Sequence, residues 1–461
     1  MGERDPGKLS FSQQKTKYHV FVTHSGIERI PVMIYTCDQE QILTFSILPP
    51  LYLPFYNQWG ANAYYTYSAF DYDPFTLRAS STSGSPVVLV GEKFFGFLTN
   101  VGGRVSYDGC GKLTFTCPAG QSLWVAEDCN PYEQWHQYNE AVLKGQPEYC
   151  PESFWSGLEY CTWVDQKNVA VRAGSTNMQE FLCESYVYEY MNRVEKLGLP
   201  KGKLTIDDGW DLRYPTGEKV WGNWEIDRSK FPHMEQLVKD MTAAGFVPGL
   251  WFAPFTFTPN CILAQHHPEL IGENWNQSAE NYDSQSLMFI KPSPILERYY
   301  EEVFGYYIDM GFRKFKLDMS YGNKREMKEL LAMMYRIIKK HNPAVEVEAH
   351  IPDIFVSRYC DTVRINDVSF DDKDQWRAVT MEHYKVCRYS SHDRVLNLDH
   401  IGTNTPVPEA APYIAHARLL LGLEGGYPCA SLLPDRFEDP AIAEEYAALV
   451  NGWCERQKKH L

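Results

Sequence analysis

Three short runs of the 461-residue chain hold acids and bases at spacings that chemistry can use. In FKLDM, Lys316 and Asp318 stand two apart, so on a strand both side chains point to one face. A lysine so placed holds its neighbouring carboxylate ionised, the state a nucleophile needs. The same pair would also serve as an internal ion pair, and spacing alone does not separate the two. In VRIND, Arg364 and Asp367 stand three apart and need not share a face, although Asp367 falls where an apolar run gives way to a loop. In KLTIDDGW, Asp207 and Asp208 close another apolar run, where two adjacent like charges require a cation or a set of hydroxyls to meet them. Two carboxylates on different strands of one pocket supply what glycosidic cleavage requires, one attacking the sugar and the other protonating the leaving oxygen. Their pKa values must differ. Lys316 would lower that of Asp318, while Asp367 beside an apolar substrate ring would rise and carry the proton.

Such side chains need a frame that brings them together. After Pro151 short apolar runs alternate with helical stretches: LEYCTW (158 to 163), KLTID (203 to 207), VPGLWFA (247 to 253), KFKLD (314 to 318), VEVEAH (345 to 350), TVRIND (362 to 367), VLNLDH (395 to 400) and a less defined run within 420 to 432. Between them lie segments such as HMEQLVKDMTAAG, PILERYYEEVFGYYIDMG and KREMKELLAMMYRIIKKHN, several of which end at Gly or Asn-Pro as helices do. Eight strands alternating with helices predict an α/β chain with a (β/α)8 TIM barrel over 151 to 461; a doubly wound open sheet is the other topology of that pattern. The fifth-to-sixth connection has room for a short helix only, and a helical tail follows residue 435. Residues 1 to 150 differ in texture. VFVTH, PVMIYTC, ILTFSILPP, VVLVGEKFFGFLTNVGG and KLTFTC, punctuated by Gly-Gly and Asp-Gly turns, predict an N-terminal β-sandwich-like domain. A barrel places its chemistry at the C-terminal ends of its strands. There this chain puts Trp163, Asp207, Asp208, Trp251, Lys316, Asp318, His350, Arg364, Asp367, Asp399 and His400. Any one of them is ordinary at a loop start, but their joint occurrence marks the barrel mouth as the candidate site.

Composition narrows the partner. A net charge of -15 argues against nucleic acid or an anionic membrane, both of which select for clustered Lys and Arg. Aromatic residues at 14% suit either sugar-stacking platforms or a large core, and decide nothing alone. The twelve cysteines show neither C-x-x-C pairs nor zinc spacing, and MGERDPGKLS has no apolar leader, so free thiols in a reducing cytoplasm are expected. No apolar run reaches membrane-spanning length. His266 and His267 are adjacent, lack an H-E-x-x-H context and cannot readily converge on one ion, so no metal is expected. Assembly into a homo-oligomer is left open.

Five motifs, IDDGW (206 to 210), GNWEIDRSKFP (222 to 232), GFVPGLWFAP (245 to 254), FKLDM (315 to 319) and VRIND (363 to 367), come in an order that resembles the α-galactosidase clan of glycoside hydrolases, closest to family 36 with its α-galactosidases and raffinose synthase-like proteins. The resemblance implies a retaining α-glycoside hydrolase acting on an α-linked oligosaccharide or glycoside, with no metal or organic cofactor. It implies Asp318 as nucleophile and Asp367 as acid/base. Sugar contacts fall to Asp207, Asp208, Trp210, Trp251, Lys316, His350, Arg364 and Asp399, with Trp210 lining the subsite and Lys316 also steadying Asp318. The chain departs from that family after GLW, where Phe252, Ala253, Pro254 and Phe255 replace a Glu-Pro-Glu pattern, and in EAHIPD, where His350 replaces a Cys and Gly-rich turn. These residues shape the subsite, so the sugar epimer stays open. EYCTWVDQ (159 to 166) is similar to the first barrel strand of family 31 α-glucosidases. An α-transglycosylase, a family 31-like α-glucosidase and a non-catalytic sugar-binding barrel are the alternatives.

Overall fold

The computed structural model describes residues 32–57, 60–62, 69–75, 85–146, 149–213, 220–274, 287–320, 324–365, 367–370 and 375–458. The run VFVTH lies outside them. The chain divides into two compact units. One takes Met1–Tyr52, Tyr65–Asp73 and Val87–Tyr138, the other Leu53–Tyr64, Pro74–Pro86 and Asn139–Leu461.

In the first unit, QILTFS and KLTFTC alternate exposed or half-buried positions with more buried ones, which makes each strand one-sided. They pair antiparallel in a four-stranded sheet with Arg104–Tyr107 and Phe70–Tyr72. A five-stranded antiparallel sheet runs Val32–Thr36, Ser122–Ala126, Lys93–Phe97, Val87–Val90 and Leu51–Tyr52. Phe45 and Phe115 of the smaller sheet meet Phe95 of the larger at ring distances of 4.9 and 5.3 Å, so aromatic contacts join the two layers.

The second unit is a closed parallel barrel of eight strands, as the alternation predicts: β1 (Glu159–Cys161), β2 (Lys203–Ile206), β3 (Val247–Phe252), β4 (Lys314–Leu317), β5 (Glu346–Ala349), β6 (Thr362–Arg364), β7 (Val395–His400) and β8 (Gly426–Ala430), with β8 pairing back to β1. Around it lie α1 (Trp163–Arg172), α2 (Glu184–Lys196), α3 (Met234–Ala243), α4 (Pro294–Met310), α5 (Lys324–His341), α6 (Trp376–Ser390), α7 (Ala410–Leu420) and α8 (Pro440–Lys458). Local chemistry sets the ends of α4. Ser293 accepts from Leu296 N–H at 3.1 Å, Pro294 opens the first turn, and Gly311 at φ 121° closes the last. Between β5 and β6 the structure places the short 3-10 turn Ser357–Tyr359. The expected tail is α8, which buries Tyr446, Val450 and Trp453 and stacks Tyr446 on Tyr413 of α7, so it packs as the last barrel helix.

Each barrel strand is buried on both faces, and the faces divide by chemistry. Leu204, Ile206, Leu250, Phe315, Leu317, Val347 and Leu396 join the apolar core. The alternate positions are polar and face one another inside the barrel. Lys314 Nζ reaches Glu159 at 2.5 Å and Glu348 at 2.6 Å, Lys203 Nζ reaches Glu346 at 3.1 Å, and Asn397 donates to Glu159 and Glu348 at 2.8 Å each. Gly249 makes room for this layer, since a Cβ there would lie 2.6 Å from Thr205 Oγ1, which donates to Glu159. The layer forms the floor of the barrel mouth.

Candidate active site

Two residues further along the same inward faces lies the mouth. Asp318 follows β4 directly and is hydrogen-bonded at both oxygens: Oδ1 accepts from Met319 N–H at 2.7 Å and lies 2.9 Å from His350 Nδ1, and Oδ2 accepts from the Trp251 indole at 3.0 Å. Met319 holds φ at 58°, a conformation that costs a non-glycine residue roughly 1–3 kcal/mol and accompanies the return of its N–H to the carboxylate. Burial would raise Asp318, but His350, then Lys316 and Arg364, outweigh it and hold the carboxyl well below the usual range. The expected depression is therefore present, with His350 the larger contributor. His350 itself is pushed down by burial and Arg364 and up by Asp318 and Glu348, and the acids prevail.

Arg364, at the end of β6, organises the other half. Its Nη1 donates to Asp367 at 2.7 Å and to Asp399 at 2.5 Å, and its Nε donates to His350 Nε2 at 2.8 Å. Asp399 and His400 both reach the mouth because β7 breaks register between Asn397 and His400 and Asp399 takes φ 62°. Burial and the Asp318 charge push Asp367 up, but Arg364 and His400 hold it down at about 2. Burial, helped by Asp367, pushes Asp399 to about 6 despite Arg364. The expected raised pKa of Asp367 is thus not found in the free protein. The retained proton belongs to the Asp367–Asp399 pair that shares one guanidinium. Side-chain exposure separates these acids: Asp318 is 22% and Asp367 21% open, against 4% for Asp399.

Asp207 and Asp208 part company. Asp207 turns into the barrel, where Oδ2 takes Lys316 Nζ at 2.8 Å and the Cys161 thiol at 3.0 Å. Asp208 is held by Arg213 and by Gln179 Nε2 at 2.8 Å each, so Lys316 offsets one of the two acids and Arg213 the other. Trp210 does not line an open subsite: it is fully buried, gives its indole N–H to the Trp251 carbonyl at 2.8 Å, and packs against Phe252 and Tyr307 behind the wall. Trp251 is the tryptophan that reaches Asp318. The sequence reading missed Arg213, Gln179 and Glu348; the last was readable from the every-second-residue pattern Glu346, Glu348, His350.

Among the described residues, two groups offer donor atoms within 4.8 Å of one another, Cys161 with His400 and Cys429, and Asp367 with Asp399 and His400. In the second, Arg364 already supplies the positive charge. Beside the first, Lys316 does so through Asp207, and burial, with both cations adding to it, pushes His400 down to about 3. The mouth is thus charge-compensated by protein groups.

A carboxylate-rich mouth on a closed (β/α)8 barrel is the class that fold and site define. The Melibiase family model matches residues 181–321. An alpha-galactosidase 2 from Pediococcus pentosaceus is 32% identical over 89 residues, which span 19% of this chain and 12% of that relative's length. In fold, the chain is similar to an alpha-galactosidase from Thermus thermophilus in complex with stachyose, with TM-score 0.66, 14% identity, and coverage of 91% of this chain and 97% of that one. The alpha-galactosidase AgaB from Geobacillus stearothermophilus aligns with TM-score 0.62 at 12% identity, over 93% and 62%. A GH31 alpha-xylosidase from a soil metagenome aligns with TM-score 0.60 at 12% identity, over 91% and 66%. The chain resembles the α-galactosidase clan, in sequence over part of the barrel and in fold over both units, as the five motifs implied.

Proposed function

We propose that the protein is a retaining α-glycoside hydrolase of the α-galactosidase type, cleaving terminal α-linked sugars by double displacement. The observation that carries this reading is the pairing of Asp318 and Asp367, each about one-fifth open at one barrel mouth and electrostatically coupled, between acids that are almost closed. Asp318, held ionised, attacks the anomeric carbon. The leaving oxygen takes the proton kept by the Asp367–Asp399 pair, and a glycosyl ester forms on Asp318. Asp367 then deprotonates a water that attacks the same carbon, so the product keeps its α configuration. Asp207, Lys316 and Trp251 bind the sugar, while Arg364 orients Asp367 and Asp399. Asp208 shapes the rim through Arg213. This chemistry uses protein groups alone.

The fold likeness to a GH31 alpha-xylosidase and the EYCTWVDQ run favour a second sugar class, so the epimer is an outcome of the test. No helix of the described residues is long and apolar enough to cross a membrane, and all twelve cysteines are free thiols, which suits a cytoplasmic enzyme. The test is a panel of aryl α-glycosides assayed with the wild type and Asp318→Ala, with the first-formed product anomer read by NMR. Turnover to the α anomer that disappears in the variant supports the reading. Turnover that survives Asp318→Ala, or a β product, contradicts it; binding without turnover favours a sugar-binding barrel, and transfer to added sugar at the expense of water favours a transglycosylase.

A further inference from the structure

We propose that His350 is a positioning residue for Asp318, fixing the carboxylate through an Nδ1–H hydrogen bond. The inference rests on the glycosidase reading above and changes the part expected for His350, from sugar ligand to support of the nucleophile.

His350 follows β5 at the next inward position after Glu348, and its ring is mostly enclosed, with 11% of the side chain open. The Arg364 Nε–H points at Nε2 over 2.8 Å. Nδ1 in turn lies 3.2 Å from Arg364 Nη2, so the guanidinium alone does not choose the tautomer, and it is the Asp318 carboxylate beside Nδ1 that draws the ring proton to that nitrogen. Nδ1 is the atom that lies 2.9 Å from Asp318 Oδ1. With Met319 N–H also on Oδ1, that oxygen carries two donors among the described residues, against one from Trp251 on Oδ2. Oδ2 is therefore the oxygen with a lone pair to spare for the anomeric carbon, and His350 decides that orientation. The same ring joins the two halves of the site, since Arg364 also spans Asp367 and Asp399.

The charged groups facing Asp318 are His350 from β5, Lys316 from its own strand, Arg364 from β6 and the opposing Asp367. Removing the Nδ1–H lets the Asp318 carboxyl rise, so the acid limb of kcat/KM moves to higher pH. His350→Asn keeps an N–H close to the Nδ1 place, whereas His350→Gln carries its amide toward the Nε2 place and leaves Oδ1 one donor short. His350→Gln is expected to lose roughly 10- to 100-fold in kcat and to shift the acid limb up by about one unit. His350→Asn is expected to restore most of kcat, with the limb between those of the wild type and His350→Gln. Thermal unfolding checks that both variants fold. Independently of any variant, 15N-histidine NMR of the wild type should show Nδ1 protonated throughout the active pH range, with the resonance assigned by its absence in His350→Asn.

An Nε2–H tautomer overturns the proposal, as does a His350→Gln acid limb that stays in place or a loss confined to KM, which would return His350 to sugar binding. If the wild type turns over no α-glycoside, the glycosidase reading fails by itself. The tautomer measurement still decides the His350–Asp318 geometry.

Discussion

The floor and the mouth of the barrel are built from the same strands, two residues apart, and from the same side-chain types, yet they do opposite things. On the floor Lys314 is closed over by Glu159 and Glu348, and Lys203 by Glu346, with every one of these side chains at most 1% open. At the mouth Asp207, Asp318, Asp367 and Asp399 share Lys316, Arg364 and His350, and two of the four acids stay partly open. A charge shut away from solvent with its counter-charge holds strands together. A charge that still meets solvent is available to a substrate. The difference is in access, not in residue type.

The same kind of deletion should therefore fail differently in the two layers. Asp318→Ala is expected to lower kcat on the order of 10^4-fold while leaving the denaturant midpoint unchanged or slightly raised, because a strained, crowded site is relieved. Parallel activity and urea-unfolding curves check this. Lys314→Met strands Glu159 and Glu348 without their cation and is expected to cost about 3–5 kcal/mol of stability. Active-site titration should show that the folded fraction keeps its kcat. If Lys314→Met leaves stability intact, the floor is not the structural layer described.

Within the mouth, Asp367→Ala should depend on the leaving group. Loss is expected at roughly 10^2- to 10^4-fold with alkyl or sugar leaving groups, which need a proton, and to shrink with nitrophenyl glycosides, which do not. A loss independent of leaving-group pKa would remove Asp367 from the acid role. The pH profile follows from the pair: a proton retained up to about 6 on Asp367–Asp399 is present below that pH and lost above it, so kcat/KM should fall on the basic side of about 6. Asp399→Asn, which removes the charge that helps keep that proton, should move this limb to lower pH. The smallest effect is at Trp251→Phe, where the loss of one donor to Asp318 Oδ2 is expected to change kcat about tenfold and stability little.

Much of this was legible in the sequence because a barrel strand has period two. Eight runs gave the eight strands, and Lys316 with Asp318 gave the inward face of β4. The same period held more than was taken from it. Lys203, Thr205, Asp207 and Glu346, Glu348, His350 are inward columns as well, and their lower members are the floor. What sequence spacing could not show is which neighbour meets a charge. Asp208 finds Arg213 and Gln179 through loop geometry, and Trp210 turns behind the wall although its motif resembles a subsite residue. The sign of the Asp367 shift was likewise out of reach, since it depends on Arg364 and His400 converging from β6 and a register break in β7.

The most direct measurement is to trap the intermediate. A fluorosugar α-glycosyl fluoride that forms the ester quickly and releases it slowly should label the wild type with one sugar per chain. Peptide mapping should place that mass on the segment containing FKLDM, at Asp318, and the label should be absent from Asp318→Ala and protected by substrate. A label on Asp367, on Asp207 or on any other residue, or full turnover with no trapped ester under these conditions, would contradict the assignment of Asp318 as the nucleophile.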